Sequence, residues 1–259
     1  MSLDIGHGER IGLVGENGSG KTTLCKHMNG LLSPTEGSIL VDGADISKAR
    51  TPEIAPKVGY LFQNPDHQIF CSSVLDEVSF GLRNIGLSKE EVSLRAAKYM
   101  DQLGIGPLSN EPPLALSLGE RRLVSVASAL AMEQELMILD EPVAWLDARQ
   151  ARLVAKAIGE AGRSGRTVII ITHNMKLVAE LTDRMIVMSQ GRVVFDGKTR
   201  ELVSDPAAMS RACLASPPVA QLARRLSQVL EMKRPVASNE DLIGELMAAR
   251  QGGGGAGVR

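Results

Sequence analysis

Gly15-Glu16-Asn17-Gly18-Ser19-Gly20-Lys21-Thr22 matches the pattern GxxxxGK[ST] at every defined position. The apolar residues 11–14 before it predict a β-strand, and residues 22–31 after it have the pattern of a helix. Small residues in such a turn allow successive backbone N–H groups to surround a phosphate, and the helix N-terminus adds partial positive charge. The alternative is a chance glycine turn, but the strand before it and the helix after it favour a phosphate-binding loop that extends to Thr23.

Two side chains of this loop carry specific chemistry. Lys21 is expected to reach the β- and γ-phosphate oxygens of a nucleotide. The hydroxyl group of Thr22 is expected to ligate Mg²⁺. The loop therefore predicts a site for a nucleotide with its magnesium ion.

A second candidate lies at the end of the apolar segment Leu136–Leu139, where the carboxylates of Asp140 and Glu141 follow. In open α/β sheets, ligands bind beyond the carboxyl ends of the strands. Asp140 is therefore a candidate for holding Mg²⁺ through water, and Glu141 for polarising an attacking water. The alternative is an acidic surface turn before Pro142, and the phosphate loop earlier in the chain favours the catalytic interpretation.

The segment 116–120 (Leu-Ser-Leu-Gly-Glu) precedes an apolar helical pattern. Ser117 and Glu120 have the spacing of a capping box, which predicts a helix N-terminus. Taken alone, the segment is a well-capped helix start and nothing more. Its place just before the acidic strand of a phosphate-loop chain favours a second anion-binding helix start.

Short apolar segments alternate with helical patterns along the chain, which predicts an α/β fold with a mostly parallel sheet. The predicted later strands are residues 58–63, 136–139 and 168–171, followed by a hairpin over residues 185–194. We expect an ATPase-type core over residues 1–200, with an α-helical subdomain inserted at about residues 64–133. Residues 201–250 predict a C-terminal extension of two helices, the first with an apolar stripe over residues 219–230 and the second capped by Ser238 and Asp241. The glycine-rich residues 251–259 predict a disordered tail.

Composition excludes several classes of function. With 29 Lys and Arg against 30 Asp and Glu, the chain has no field to attract nucleic acid or an anionic membrane. Cys25, Cys71 and Cys213 are too widely spaced for a disulfide framework or a metal site, so we expect thiols in a reducing cytosol. No apolar run has membrane-spanning length and no signal peptide is recognisable, so we expect any membrane association to come through a partner protein.

The order of these motifs resembles that of the ATP-binding subunits of ABC transporters. The series comprises the phosphate loop, Gln63, residues 116–120, Leu-Asp-Glu-Pro at 139–142, Trp145-Leu146-Asp147 and Thr172-His173. The resemblance implies a P-loop NTPase (RecA-like) core that hydrolyses ATP with Mg²⁺. It also implies a head-to-tail pair of ATPase subunits, in which each ATP lies between one phosphate loop and the partner's Leu-Ser-x-Gly segment.

The resemblance assigns roles to the matching residues. Gln63 is expected to contact Mg²⁺ and to sense the transmembrane partner, and Glu141 to be the hydrolytic carboxylate. His173 is expected to contact the γ-phosphate, although from the residues alone a histidine after a buried strand is usually a core or cap residue. The residues expected to contact the nucleotide of the opposite subunit are Ser117, Gly119, Glu120 and Asp147.

One branch of the family is favoured. The segment 62–70 (Phe-Gln-Asn-Pro-Asp-His-Gln-Ile-Phe) is similar to the glutamine loop of energy-coupling-factor importers, with Gln68 as a second glutamine. Arg121-Arg122 and Pro217-Pro218 resemble cobalt/nickel-type members. This branch implies import of cobalt, nickel or a vitamin at the cytoplasmic face of the cell membrane. The implied partners are a second ATPase subunit, identical or different, a transmembrane coupling protein and a small substrate-binding membrane protein.

Three departures from the family pattern are visible. Leu118 stands where the family usually has glycine, which is expected to weaken hydrolysis. Val143 and Trp145 replace a frequent threonine and a frequent glycine. Before the phosphate loop the family has about two strands and an aromatic residue that stacks on adenine, whereas only a short segment without an aromatic residue stands here. Either the start lies downstream of the family's usual one, or the stacking contact is missing.

Four alternatives remain open at this point. One is a weakly active or regulatory ABC ATPase paired with a different subunit, and another is an ATP-gated scaffold. A soluble ABC ATPase of DNA repair or chromosome organisation would need a long coiled-coil insertion. A small-molecule kinase would need an arginine-bearing lid and would have no use for the Leu-Ser-x-Gly segment.

Overall fold

The computed structural model describes residues 1–212, 214–230, 232 and 234–252. Cys213 and residues 253–259, most of the predicted tail, lie outside the described residues. The described chain forms two compact units. Unit 1 contains Met1, Ile11–Ser19 and the chain from Thr172 onward, and unit 2 contains Ser2–Arg10 and Gly20–Ile171.

Strands and helices alternate along most of the chain. The strands are β1 (Arg10–Gly15), β2 (Leu40–Val41), β3 (Ala44–Asp45), β4 (Val58–Leu61), β5 (Leu136–Asp140), β6 (Thr167–Ile171), β7 (Arg184–Ser189) and β8 (Arg192–Lys198). The helices are α1 (Lys21–Met28), α2 (Thr51–Ile54), α3 (Val74–Asn84), α4 (Lys89–Gln102), α5 (Leu118–Ala131), α6 (Ala148–Arg163), α7 (Met175–Leu181), α8 (Thr199–Ser204), α9 (Pro206–Arg211), α10 (Pro218–Leu226) and α11 (Asn239–Gly252).

Unit 2 is built on the parallel strands β4, β5 and β6, in that order. The apolar runs of β5 and β6 are buried, as expected for parallel strands covered on both faces. Asp140 pairs with Ile171 at the carboxyl ends of β5 and β6, so the two strands end at the same edge. The three helices α3, α4 and α5 pack on one another, and their buried residues include Leu82, Ala96 and Leu130.

Unit 1 contains a mixed sheet. β1 runs parallel to β7, and β7 runs antiparallel to β8. The predicted hairpin is confirmed, and its turn places Gln190 at φ 48° and Gly191 at φ 73°, as a tight hairpin turn requires. With parallel strands and helices in unit 2 and this sheet in unit 1, the α/β prediction is also confirmed.

Several element ends differ from the prediction. α1 ends at Met28 rather than Leu31, because Gly30 adopts φ 72° and the helix cannot continue through it. β4 ends at Leu61, two residues before Gln63. After residue 198 the described residues form four helices rather than two. Prolines stand at the start of two of them, Pro206 in α9 and Pro217-Pro218 in α10. The apolar stripe helix α10 ends at Leu226, so Val229 lies beyond it and is 78% exposed.

Other predictions stand as follows. The capping box at Ser117 is confirmed, and Ser238 and Asp241 cap the start of α11 as expected. The last helix continues to Gly252, which shortens the predicted tail. None of the helices among the described residues has the length and apolar character needed to cross a bilayer. The proposed boundaries of the core, the helical subdomain and the extension remain predictions.

Candidate nucleotide site

The first half of the glycine loop belongs to unit 1 and follows β1. Gly15 adopts φ 144°, and a Cβ atom there would lie 2.1 Å from the carbonyl oxygen of Met188, so only glycine fits. Ser19 is buried, its N–H donates to Glu16 O (3.1 Å) and its carbonyl accepts from Gly191 N (3.0 Å). Glu16, Asn17 and Gly18 are exposed. The chain therefore turns tightly here and leaves the tip of the loop open to a ligand.

The second half of the loop begins α1 in unit 2. Gly20 is the N-cap at φ 100°, a left-handed conformation that favours glycine. Lys21 is only 8% exposed, and burial lowers its pKa although the nearby Asp140 and Glu141 carboxylates oppose that shift. Thr22 and Thr23 are exposed. A largely buried ammonium group at a helix start suits the binding of phosphate oxygens.

Asp140 is the centre of a polar cluster in unit 2. Its side chain is buried, and its Oδ2 accepts hydrogen bonds from the Thr22 hydroxyl (3.4 Å) and the Tyr60 hydroxyl (3.3 Å). Burial raises the pKa of Asp140, whereas the hydrogen bond from Tyr60 lowers it. Burial and the Asp140 charge also raise the pKa of Tyr60, which therefore stays a hydrogen-bond donor.

These oxygen atoms fit a magnesium ion. Mg²⁺ prefers hard oxygen ligands, commonly one or two from the protein, with water and phosphate completing the octahedron. Thr22 Oγ1 and Asp140 Oδ2 lie 3.4 Å apart, so one hydroxyl and one carboxylate oxygen already share the same small space. Gln63, the third predicted ligand, is exposed, and its carbonyl accepts a hydrogen bond from Arg122 (3.2 Å).

Glu141 has an unusual backbone. Its φ of 48° lies in the left-handed region, which is rare for a residue with a side chain. The conformation is held because its N–H donates to Ile171 O (2.7 Å) while its carbonyl accepts from Ala144 N (3.0 Å). The side chain is half-buried. Strained backbone held by its surroundings is frequent at functional sites.

Arg122 is a fully buried side chain that joins the ends of β4 and β5. Its Nη1 donates to Phe62 O (2.5 Å) and Gln63 O (3.2 Å). Its Nη2 donates to Asp140 O (2.5 Å) and Glu141 O (2.6 Å). Two candidate catalytic residues, Gln63 and Glu141, are thereby attached through their backbones to one guanidinium.

The segment after β4 forms a compact turn. Gln68, the second glutamine of the predicted glutamine loop, accepts a hydrogen bond from Phe62 N (3.4 Å). The side chain of Asn64 accepts from Asp66 N (3.0 Å), and Asp66 pairs with Arg121 of α5 (3.5 Å). Side chains of this segment therefore bond to its own backbone and to α5.

The Leu-Ser-x-Gly segment starts α5 through its capping box. Ser117 Oγ donates to Glu120 Oε2 (2.7 Å), and Glu120 N donates back to Ser117 Oγ (3.3 Å). Ser117 is exposed and Leu118 half-buried. A Cβ atom at Gly119 would lie 3.1 Å from the carbonyl oxygen of Trp145, so this position is tight for a larger residue.

Asp147 has a local structural partner. Its Oδ1 accepts from Arg149 N (2.7 Å) and Gln150 N (2.8 Å) and caps α6. Its predicted contact with an opposite subunit remains a prediction. His173 lies in unit 1, is exposed and directly follows the buried Thr172, whose hydroxyl accepts from Asn174 N (3.1 Å).

Unit 2 thus brings Lys21, Thr22 and Asp140 together and links Gln63 to Glu141, while Ser117 pairs with Glu120.

Two contributors were missed by sequence reasoning, Tyr60 and Arg122. Tyr60 precedes the strand end by one residue, and a tyrosine in an otherwise apolar strand is a usable signal. Arg122 falls among apolar residues on the buried side of α5, and that misplaced charge is the corresponding signal.

A separate group in unit 2 consists of His7, Asp42 and Glu135, whose ligand atoms lie within 4.8 Å of one another. All three residues are exposed, and Asp42 already pairs with Lys57 (3.0 Å). This group carries no functional assignment here.

Comparison with known proteins identifies the family to which the chain belongs. The family model described as ABC transporter matches residues 1–144. An energy-coupling factor transporter ATP-binding protein, EcfA2 of Clostridium perfringens, is 39% identical over 237 residues, which cover 87% of this chain and 81% of that protein. The structure of cbiO1 from Clostridium perfringens, described as part of the ABC transporter complex cbiONQ, has a TM-score of 0.71 at 34% identity and covers 86% of this chain and 90% of that chain.

A protein of Methanosarcina acetivorans is 43% identical over 229 residues, which are 88% of this chain but 37% of that protein. The chain spans 37% to 40% of the length of this relative and of two others, from Methanosarcina mazei and Caldanaerobacter subterraneus. Its fold is the P-loop NTPase fold of the ABC ATPase cassettes. The family match covers more than half of the residues, so the chain belongs to the ABC transporter family, where its relatives include energy-coupling factor ATP-binding proteins.

Proposed function

We propose that this chain binds ATP, hydrolyses it and so drives a membrane transporter of energy-coupling factor type. The observation that carries the proposal is the cluster of Lys21, Thr22, Tyr60 and Asp140 at the start of α1 and the end of β5. A buried lysine for phosphate and hard oxygens for a divalent cation are the groups that phosphoryl transfer needs. The names of the relatives, an energy-coupling factor protein and a part of cbiONQ, support the transporter.

The residues of the chain have separate tasks in this proposal. Backbone N–H groups of residues 15–23 bind the phosphates, and Lys21 donates hydrogen bonds to the β- and γ-phosphate oxygens. Thr22, Asp140 and Gln63 would hold Mg²⁺, which would neutralise phosphate charge. Glu141 orients the attacking water and accepts its proton. By resemblance to the family, His173 would contact the γ-phosphate.

The site is completed by a second ATPase subunit. Ser117, Gly119, Glu120 and Asp147 would contact the nucleotide bound to that subunit. The exposure of Ser117 and its place at a helix start suit contact with an anion. The transmembrane coupling protein and the substrate-binding membrane protein would join this pair at the cytoplasmic face of the membrane.

The proposed cargo is a transition-metal ion, cobalt or nickel, or a vitamin. The supporting features are the glutamine loop at residues 62–70 and Arg121-Arg122, together with the similarity to cbiO1. Selectivity resides in a membrane component, so uptake of labelled cobalt, nickel and vitamins into cells with and without this gene is the direct test. Unchanged uptake of all of them in the deletion strain would contradict the importer.

Steady-state hydrolysis by Glu141→Gln tests the enzymatic proposal. Loss of the proton acceptor is expected to lower the rate about 100-fold or more, while binding of a fluorescent ATP analogue is retained. Glu90→Gln, the same change at an exposed position of α4, is the control and should match the wild type. Equal rates in wild type and Glu141→Gln would remove Glu141 from the mechanism.

A regulatory ATPase subunit is the second candidate. Leu118 favours it, because this half-buried side chain stands at the first residue of α5, where the family usually has glycine. The two candidates differ in the rate of hydrolysis by the wild-type chain, and in the response to removal of the Leu118 side chain.

A further inference from the structure

Arg122 donates hydrogen bonds to four backbone carbonyl oxygens at the ends of two neighbouring strands. They are the carbonyl oxygens of Phe62 and Gln63 after β4 and of Asp140 and Glu141 at the end of β5. The two strands run parallel and end at the same edge, and Arg122 lies between their ends. One planar group therefore fixes the carbonyls of two neighbouring strand ends at the same time.

Burying this charge is costly, and the surroundings compensate with carbonyl dipoles and with the nearby charges of Asp140 and Glu141. Arg122 is 0% exposed, and burial lowers its pKa to about 10, which leaves it charged at neutral pH. The carbonyl dipoles point their negative ends at the guanidinium. An apolar side chain would fill the same space at a lower desolvation cost, so packing alone does not explain an arginine.

A second contact restrains the same side chain. The ring of Trp145 lies over the guanidinium, with 5.9 Å between Arg122 Cζ and the ring centroid. Trp145 adopts φ 62°, a left-handed backbone that glycine would adopt without strain. The position where the family usually has glycine thus holds a strained tryptophan, and the contact with Arg122 is what that residue provides.

Arg122 also belongs to the first turns of α5, the helix that Ser117 begins. Gly119, one turn before it, lies against the carbonyl of Trp145. Arg122 therefore connects the Leu-Ser-x-Gly segment to Trp145 and to the backbones of Gln63 and Glu141.

We propose that Arg122 is a positioning residue that fixes the backbones of Gln63 and Glu141 to the start of α5, so that the Leu-Ser-x-Gly segment and the catalytic strand ends move together. The inference rests on the proposed hydrolysis. In a pair of subunits, contact of Ser117 with the nucleotide of the partner would then affect the position of Glu141 in the same subunit as Ser117. Such a link between two sites needs a shared rigid element, and Arg122 supplies it.

The test compares Arg122→Lys with Arg121→Lys. Lysine keeps the charge, but its single nitrogen cannot reach both pairs of carbonyls. Arg122→Lys is expected to lower kcat about 100-fold, as for a small misplacement of reacting groups, and to leave KM for ATP within about threefold. Arg121, the neighbouring arginine whose ion pair with Asp66 is partly exposed, should tolerate lysine with little change in either constant.

Hydrogen exchange gives a readout that does not depend on hydrolysis. The amide of Glu141, now bonded to Ile171 O, should exchange at least about tenfold faster in Arg122→Lys, whereas amides within β6 keep their protection. If wild type fails to hydrolyse ATP, the proposed function fails, and the exchange result still decides the role of Arg122. Parallel changes in kcat, KM and global protection would reduce Arg122 to a structural role and overturn the proposal, as would an unchanged kcat.

A second pair of variants covers the case in which Arg122→Lys does not fold. Trp145→Ala removes the ring over Arg122, and Trp145→Phe keeps a ring there. The alanine variant should lose about threefold in kcat and the phenylalanine variant should recover most of that loss. Equal rates in all three proteins would contradict the coupling through Trp145 and Arg122.

Discussion

At the scale of single residues, two opposing effects act on the pKa of Asp140. Burial raises its pKa, and hydrogen bonds from Tyr60 and Thr22 lower it. A protonated Asp140 would be a poor ligand for Mg²⁺, so in the proposed site these two hydroxyl groups would extend Mg²⁺-dependent nucleotide binding to lower pH. Tyr60 would therefore affect nucleotide binding without contacting the phosphates, through the charge of Asp140.

Tyr60→Phe tests this effect. Because the lost hydrogen bond had lowered the pKa of Asp140, that pKa should rise further, and the acid limb of Mg²⁺-dependent ATP binding should move to higher pH. The measurement is the affinity of a fluorescent ATP analogue between pH 5 and pH 8. Tyr99→Phe removes the other tyrosine hydroxyl, which bonds to Glu133 (2.9 Å), and should leave the limb in place. Identical profiles for Tyr60→Phe and wild type would refute the assignment.

Leu118 carries a second prediction at this scale. If its side chain crowds the approach of a partner's nucleotide, Leu118→Gly should raise ATP turnover about threefold or more, despite a loss of helix stability of at most about 1 kcal/mol. Turnover and thermal midpoint would be measured together, with Leu118→Ala as the intermediate case. A fall in turnover that follows the loss of stability would show that the leucine does not hinder the subunit pair.

At the scale of elements, two helices start in the same way. Ser88 begins α4 and Ser117 begins α5, and each has a glutamate three residues later that completes a capping box. The cap itself contributes about 1 kcal/mol in either helix. Of these two helix starts, only that of α5 has a proposed ligand. A comparison of substitutions at Ser88 and Ser117 therefore separates an effect on capping from an effect on catalysis.

Ser117→Ala and Ser88→Ala should each lower the free energy of unfolding by about 1 kcal/mol in urea titrations. Hydrolysis should fall at least about tenfold in Ser117→Ala only, because that hydroxyl is the proposed contact with the second nucleotide. Equal rates in the two variants would leave Ser117 as a helix cap and nothing else.

The elements that could be predicted from the sequence are those with a strong local signal. β5 and β6 are continuous apolar runs, and each was located to within one residue. The short hairpin of β2 and β3 was not predicted, although Asp42-Gly43 is a turn signal, with φ 50° and 76°. Its strands of two residues are too short to give an alternating pattern.

The residues of the candidate site also differ in whether a local sequence signal predicts them. The loop residues and Asp140 follow from local motifs, because each motif holds strand, turn and helix within a few residues. The bonds of Arg122 to Phe62 and of Tyr60 to Asp140 join residues 60 and 80 positions apart, and no local pattern specifies such pairings. The left-handed backbone of Glu141 also depends on a tertiary hydrogen bond, from its N–H to Ile171 O.

At the scale of the whole molecule, the proposed site requires two subunits. Glu141→Gln with Mg²⁺ and ATP should accumulate as a dimer, with about twice the mass of the 27.6 kDa chain in light scattering after gel filtration. ADP should leave the chain monomeric. A monomer under both conditions would contradict pairing with a second copy and favour a different ATPase subunit as the partner.

The burial of Lys21 has a practical consequence for finding this chain in a mixture. Because burial lowers its pKa, more of its amine is uncharged at neutral pH than in an exposed lysine, and an uncharged amine is the form that attacks acyl groups. A biotin acyl phosphate of ATP should acylate Lys21 in a crude cell extract, with excess ATP as the competitor. The tagged peptide would then report occupancy of this loop in the living organism's own proteome, without purification.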